Sequence, residues 1–169
     1  MVGYPEALTD PSYKGQVLTF TYPMVGNYGV PEKVMDMGLP LYFESDHIQP
    51  QGLIIHELCH EPFHWASGRT LDKWLADEGV PGIYGVDPRR LTKKLRTHGV
   101  MLGILQVFEE GEQPDLAALL KSCKSIADPN ETDLVKEVSV KKPVTYNIDG
   151  KKTAVLIDCG VKFSIIRNL

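Results

Sequence analysis

The sequence lacks any apolar run of the roughly 18 residues that a membrane-spanning helix needs. Its first residues also lack the basic stretch followed by an apolar one that marks a signal peptide. Only three cysteines are present, Cys59, Cys123 and Cys159, an odd number at wide spacing. Such cysteines are typical of reduced thiols rather than of a disulfide framework. We therefore expect a cytoplasmic protein without a membrane partner.

The chain also lacks an excess of positive charge. Its 18 Lys and Arg residues stand against 22 Asp and Glu residues, which gives a net charge of -4. One predicted helix is basic and carries no aromatic residue among its cations, which are Arg89, Arg90, Lys93, Lys94 and Arg96. A short basic helix of this kind is typical of a solvated face, so we expect no nucleic-acid partner.

The first 29 residues combine a short predicted helix at residues 4–8, a turn at residues 9–13 and a strand at residues 16–22. Asp10-Pro11-Ser12 favours a turn because proline restricts the residue before it, and Asp and Ser side chains bond nearby backbone groups. This arrangement is suited to presenting a serine to another molecule. On its own, Ser12 is an ordinary turn serine, because no base stands beside it in the sequence.

Hydrophobic periodicity and start signals predict strands at residues 52–58, 80–86 and 101–108, with helices after Thr70, after Asp87 and from residue 116. Residues 133–152 are predicted to be extended linker with turns. Residues 154–157, Ala-Val-Leu-Ile, predict a strand buried on both faces, followed by a turn and a helix. Since one such unit cannot cover its own strand, we expect the chain to be a fragment that stops just inside a second domain.

A zinc motif is the strongest local pattern. His56-Glu57-Leu58-Cys59-His60 fits H-E-x-x-H, in which a helix places two histidines on one face and the glutamate acts as base. The residues before it predict a strand, however, and Pro62 would stop a helix. The plainer interpretation is a strand end around a buried Cys59, and a zinc-dependent hydrolase is kept as the alternative.

Cys159 follows the predicted strand at residues 154–157, where a helix N-terminus can lower the pKa of a thiol. No histidine base lies near it in the sequence. We therefore predict a small packed residue rather than a nucleophile.

A family resemblance covers almost the whole chain. The run GYPEALTDPSY, followed by TYP and GNYG, resembles the N-terminal domain of the small, glutamine-using subunit of carbamoyl-phosphate synthetase. QGLII, TLDKWLADEGVPGI, GVDPRRLTKKLRTHG and VKEVSV follow in family order. The final VLIDCGVKFSIIR resembles the first strand and helix of the class I glutamine amidotransferase domain, with Ser164 where the family usually has Asn.

The resemblance implies an α/β fold in three parts. Residues 1–142 are expected to form a layered β/β/α domain, truncated at its N-terminus. Residues 143–152 are expected to be a linker. Residues 153–169 are expected to begin a parallel α/β amidotransferase domain.

In this family a Cys-His-Glu triad hydrolyses glutamine, and its cysteine lies in a G-x-C-x-G-H elbow that this sequence lacks. The resemblance therefore implies a segment with no catalytic residue, metal or cofactor of its own, inactive when alone. It is expected to dock on a large subunit that uses ATP and Mg²⁺ to make carbamoyl phosphate for arginine and pyrimidine synthesis.

The segment is also expected to close one side of the L-glutamine pocket. The glutamine-contacting serine of the family maps onto Ser12, and the lysine of its D-C-G-x-K stretch maps onto Lys162. A free-standing binding module on the same scaffold is a third alternative.

Overall fold

A computed structural model describes residues 2–169 as a mixed α/β fold of short elements. The strands are Val17–Thr19 (β1), Met24–Val25 (β2), Val30–Pro31 (β3), Met35–Asp36 (β4), Leu39–Pro40 (β5), Gly52–Ile54 (β6), Glu57–Leu58 (β7), Ser67–Arg69 (β8) and Gly82–Ile83 (β9). The α-helices are Tyr4–Leu8 (α1), Leu71–Asp77 (α2), Pro88–His98 (α3), Leu116–Lys124 (α4), Leu134–Val138 (α5) and Phe163–Arg167 (α6). Two short 3₁₀ helices lie at Pro11–Tyr13 and Pro129–Glu131.

A three-stranded parallel sheet in the order β1-β6-β9 forms the centre of the fold. Leu53 of β6 lies opposite Leu18 of β1 and Gly82 of β9. The amides of Leu53 and Ile55 donate to the carbonyls of Pro81 and Ile83, each at 3.0 Å. The remaining strands pair as β2 with β7 in parallel, and as β3 with β8 and β4 with β5 in antiparallel fashion.

Helix α2 packs on the core through the apolar stripe that its sequence predicts. Leu71, Trp74 and Leu75 are 0%, 2% and 7% exposed. The Trp74 ring meets Phe43 edge to face, with 5.6 Å between ring centroids. These side chains join one buried cluster whose other members are Tyr4, Leu8, Phe20, Val25, Val30, Ile48, Leu53 and Ile55. Helix α2 and the parallel sheet therefore share a single core.

The predicted start and end of α3 are also confirmed. The Asp87 side chain accepts the amide of Arg90 at 2.9 Å, and Pro88 occupies the first helical position. Gly99 ends the helix with a φ of 81°, a backbone conformation that favours glycine. All five cations of α3 are exposed, as expected for a solvated face.

Several elements differ from the sequence prediction. The predicted strands at residues 16–22, 52–58 and 80–86 are shorter or divided, and α5 lies where we predicted extended linker. Residues 101–108 form no strand. They run beside the sheet, and residues 105–107 form one wall of a groove of about 620 Å³ whose other walls come from β6, α2 and β9. A largely apolar run is insufficient for a strand when no neighbour among residues 2–169 supplies the hydrogen-bonded ladder.

The predicted buried strand at residues 154–157 is also wrong. These residues form no strand, and Val155 and Ile157 are 90% and 86% exposed. A strand that is apolar on both faces needs neighbours on both sides, and no other element within residues 2–169 pairs with this one.

The α/β class is thus confirmed, with parallel strand pairs, whereas the β/β/α layering and the domain boundaries at residues 142 and 152 stay predictions. Among residues 2–169, no helix combines the length and apolar character needed to cross a membrane.

Amide hydrogen exchange should separate the central strand from residues 154–157. The Leu53 and Ile55 amides are bonded within a buried sheet, so their exchange should be slower by about 100-fold or more than that of Val155 and Ile157. Equal protection of the two segments in the monomeric chain would contradict the description of residues 154–157 as unpaired.

Candidate functional site

The Ser12 turn is fixed by hydrogen bonds on both sides. Asp10 is the N-cap of the 3₁₀ helix Pro11–Tyr13, and its Oδ1 accepts the Ser12 amide at 2.9 Å. The Ser12 carbonyl accepts a hydrogen bond from Gln16 Nε2 at 3.0 Å. Pro11 is buried and Ser12 is exposed. The turn therefore holds a serine at the surface in a defined backbone conformation, as Asp10-Pro11 predicts.

Helix α1 anchors this turn to the core. Tyr4 and Leu8 are fully buried, and the Tyr4 ring stacks on Tyr28 with 4.5 Å between centroids. Thr9 follows the helix, is 1% exposed, and donates its hydroxyl to the Pro5 carbonyl at 2.8 Å. The residues just before Asp10 therefore have little freedom to move.

Lys162 reaches the same turn from the other end of the chain. It is the N-cap residue of α6, and its Nζ lies 3.5 Å from Asp10 Oδ2. The Asp10 side chain is 17% exposed and that of Lys162 is 39% exposed, so the pair is partly shielded from water. Ser12 and Lys162, the two residues that the resemblance selects, therefore contact the same carboxylate. The Ser12 backbone amide binds one oxygen of Asp10, and the Lys162 ammonium lies beside the other.

Asp158 organises the loop before Lys162. Its carboxylate accepts the amides of Gly160 at 2.8 Å, Val161 at 2.7 Å and Val140 at 2.8 Å. Burial raises the pKa of Asp158, but these three amides outweigh that effect and hold the pKa below its ordinary value. The loop is therefore closed by a charged acceptor.

Gly160 allows this loop to approach the Ser12 turn closely. Its φ is 96°, and a Cβ at this position would lie 2.7 Å from a methyl carbon of Val138 and 3.3 Å from Pro11. A larger residue would be strained by the positive φ and would have to displace the Val138 side chain.

Sequence reasoning missed two residues of the site, Asp10 as the partner of Lys162 and Glu44 as a contact of α6. Asp10 was identified only for its local role in the turn. Glu44 is 8% exposed, and its Oε2 accepts the Ser164 amide at 2.9 Å, from a residue 120 positions away. A buried glutamate in a polar loop has no periodicity or spacing that would have revealed this partner.

The H-E-x-x-H stretch has the extended context that we predicted from its flanking residues. Glu57 and Leu58 form β7, so the two histidines do not share a helical face. His56 Nδ1 lies 3.0 Å from the Val86 carbonyl, and His60 meets the ring of Tyr84 at 5.8 Å between centroids. Within residues 2–169, no three His, Cys, Asp or Glu side chains come together as a metal site. The arrangement offers no support for the zinc hydrolase.

The cysteines differ from their predictions. Cys159 is exposed rather than packed. Cys59 is half-buried rather than buried, and its Sγ lies 3.5 Å from the Glu61 carbonyl.

Comparison with known proteins decides the family. Residues 1–105 match the family model described as carbamoyl-phosphate synthase small chain, CPSase domain. The chain belongs to this family. It is 44% identical over 169 residues to the carbamoyl phosphate synthase small chain of Sulfolobus acidocaldarius, covering all of this chain and 43% of that one. It is 48% identical over 171 residues to the small chain of Pyrococcus furiosus, covering all of this chain and 44% of that one.

A relative named as multifunctional matches at a similar identity. The chain is 45% identical over 170 residues to the multifunctional protein CAD of Squalus acanthias, covering all of this chain and 7% of that protein. The resemblance inferred from the sequence is thus confirmed. The chain spans less than half the length of the Sulfolobus acidocaldarius and Pyrococcus furiosus small chains.

The Asp158 loop should respond to acid. Because the folded-state pKa of Asp158 is lowered, the stabilisation it provides is present above the unfolded value of about 3.9 and is lost as the pH falls through the lower folded value. Asp158→Ala should remove this response and destabilise the loop by about 1 kcal/mol, the scale of a hydrogen bond near the surface.

An NMR titration of the Gly160 and Val161 amides tests this prediction, with Asp149→Ala as the control at an exposed aspartate. Unchanged amide signals down to pH 2 in the wild-type chain would show that the carboxylate does not hold the loop.

Proposed function

We propose that this chain is the part of a carbamoyl-phosphate synthase small chain that forms one side of a glutamine pocket and docks on the large synthetase subunit. One observation supports the pocket most: the Ser12 amide and the Lys162 ammonium both contact the Asp10 carboxylate. The substrate class is proposed from the resemblance to the glutamine-using subunit of carbamoyl-phosphate synthetase. The two together favour L-glutamine over other ligands.

The chemistry of the Ser12 turn suits an amino-acid substrate. Ser12 is exposed, and a hydroxyl can both donate a hydrogen bond to a carboxylate and accept one from an ammonium group. The Lys162 ammonium compensates the charge of Asp10, 3.5 Å away. A substrate carboxylate can therefore approach the turn without meeting an uncompensated negative charge.

In the proposed division of labour, this chain binds and orients the substrate. Glutamine hydrolysis breaks the side-chain amide C–N bond and adds water, which gives glutamate and ammonia. We place the Cys-His-Glu triad for this step in other residues of the complete protein, which in the relatives is more than twice as long as this chain. The segment itself would need no cofactor, and ATP and Mg²⁺ would be used by the large subunit.

The names of the relatives support a partner protein. A small chain implies a companion chain, and CAD is named as a multifunctional protein, which is consistent with a fused form of the same assembly. We propose that the ammonia passes to the large subunit in the cytoplasm, where carbamoyl phosphate serves arginine and pyrimidine synthesis. No observation favours a free-standing binding module over this role.

Ser12→Ala in the complete small subunit, assembled with its large subunit, should raise the KM for glutamine by about ten- to a hundredfold. This range corresponds to the loss of one hydrogen bond to a charged substrate group. The effect should appear mainly in KM if the contact is equally strong in the ground and transition states. The rate with ammonia as the nitrogen source should not change, because ammonia bypasses the glutamine pocket.

The matched control is Ser122→Ala, at an exposed serine on α4, which should leave both rates unchanged. Normal glutamine kinetics in Ser12→Ala would mean that Ser12 is only a turn residue and that the site assignment is wrong.

A further inference from the structure

We propose that Glu44 is a positioning residue that locks α6 and Lys162 against the Ser12 turn, and so sets the geometry of the glutamine pocket. The inference rests on the proposed function for its kinetic consequence. Its structural part stands on contacts within the chain. Glu44 is almost completely buried, which is rare for a glutamate unless its polar atoms have partners.

The backbone of Glu44 is joined to the turn that precedes Ser12. The Glu44 amide donates to Thr9 Oγ1 at 2.8 Å. The next residue, Ser45, donates its hydroxyl to the Thr9 carbonyl at 2.6 Å. Because Thr9 is itself buried and bonded back to Pro5, these contacts fix Glu44 relative to Asp10.

The other polar atoms of Glu44 hold the start of α6. The Glu44 carbonyl accepts the Phe163 amide at 3.0 Å, and Oε2 accepts the Ser164 amide at 2.9 Å. These are the first two amides of α6, which have no acceptor within the helix. A carboxylate acceptor makes this hydrogen bond stronger than one between neutral groups. A second anchor lies at the other end of α6, where Arg167 donates to the Pro40 carbonyl.

These contacts close a ring. Lys162 directly precedes the two amides that Glu44 holds, and its Nζ meets Asp10 Oδ2. The other Asp10 oxygen holds the Ser12 amide. The path therefore runs from Glu44 through α6 to Lys162, then through Asp10 and Thr9 back to Glu44. If the Ser164 contact is lost, α6 can shift and Lys162 moves with it.

The geometry assigns Glu44 to positioning rather than to chemistry. Its carboxylate is buried and faces the α6 backbone, whereas Ser12 is exposed. A shift of about 1 Å in a binding group is enough to weaken a pocket strongly. Loss of Glu44 should therefore act on glutamine binding without removing any group that contacts glutamine.

Hydrogen exchange of the Ser164 amide tests the structural part in the 169-residue chain. Glu44→Ala should speed its exchange by about tenfold or more, whereas Glu44→Gln, which keeps an acceptor oxygen, should stay closer to the wild type. Glu110→Ala, at an exposed glutamate of an acidic turn, is the matched control and should change nothing. Protection of the Leu53 amide reports that each variant is folded. Unchanged Ser164 exchange in folded Glu44→Ala would overturn the proposal.

Kinetics of the complete small subunit with its large subunit test the consequence for the pocket. Glu44→Ala should raise the glutamine KM by about tenfold with little change in kcat or in the ammonia-dependent rate, and Glu44→Gln should restore most of the loss. Where Glu44→Ala does not fold, Glu44→Asp serves instead, because it keeps the charge but retracts the carboxylate from Ser164, and the same rise in KM is expected.

The outcome separates this proposal from the proposed function. If Ser12→Ala raises the glutamine KM and the folded Glu44 variants do not, the positioning role is wrong and the glutamine pocket stands. If neither residue affects glutamine use, the pocket assignment fails and the positioning role fails with it. A fall in the ammonia-dependent rate equal to the fall with glutamine would show a general structural role, which also contradicts the proposal.

Discussion

Both oxygens of the Asp10 carboxylate are engaged, one by the Ser12 amide and the other by the Lys162 ammonium. The first contact shapes a turn, and the second joins that turn to the last helix of the chain. A neutral side chain at this position could cap the turn but would leave Lys162 without its partner. The candidate site therefore depends on the Asp10 carboxylate, which both caps the Ser12 turn and binds Lys162.

The rest of the fold keeps this carboxylate in place. Helix α1 buries Tyr4 and Leu8 in the same core that receives Trp74 from α2, so the turn begins from a fixed point. On the other side, the Asp158 loop and Gly160 bring residues 158–162 against Pro11. Contacts between distant parts of the chain, rather than a continuous sheet, hold the two sides together.

Local features of the fold were predictable, and distant contacts were not. The cap and proline of α3, the buried stripe of α2 and the turn at Ser12 follow from residues close together in the sequence. The strands predicted at residues 101–108 and 154–157 are not formed. A strand needs a neighbouring strand to bond with, and its own sequence does not show whether one is present. In the same way, the resemblance selected Ser12 and Lys162, but only the structure shows that Asp10 and Glu44 connect them. Long-range hydrogen bonds to backbone amides leave little trace in a single sequence.

A crystal structure of the complete small subunit with bound glutamine tests the central claim most directly. The account predicts that the Ser12 hydroxyl lies within about 3.2 Å of a polar atom of glutamine. It also predicts that the contact between Lys162 and Asp10 persists beside the ligand. Glutamine bound away from the turn, with neither Ser12 nor residues 158–162 lining its pocket, would contradict the account.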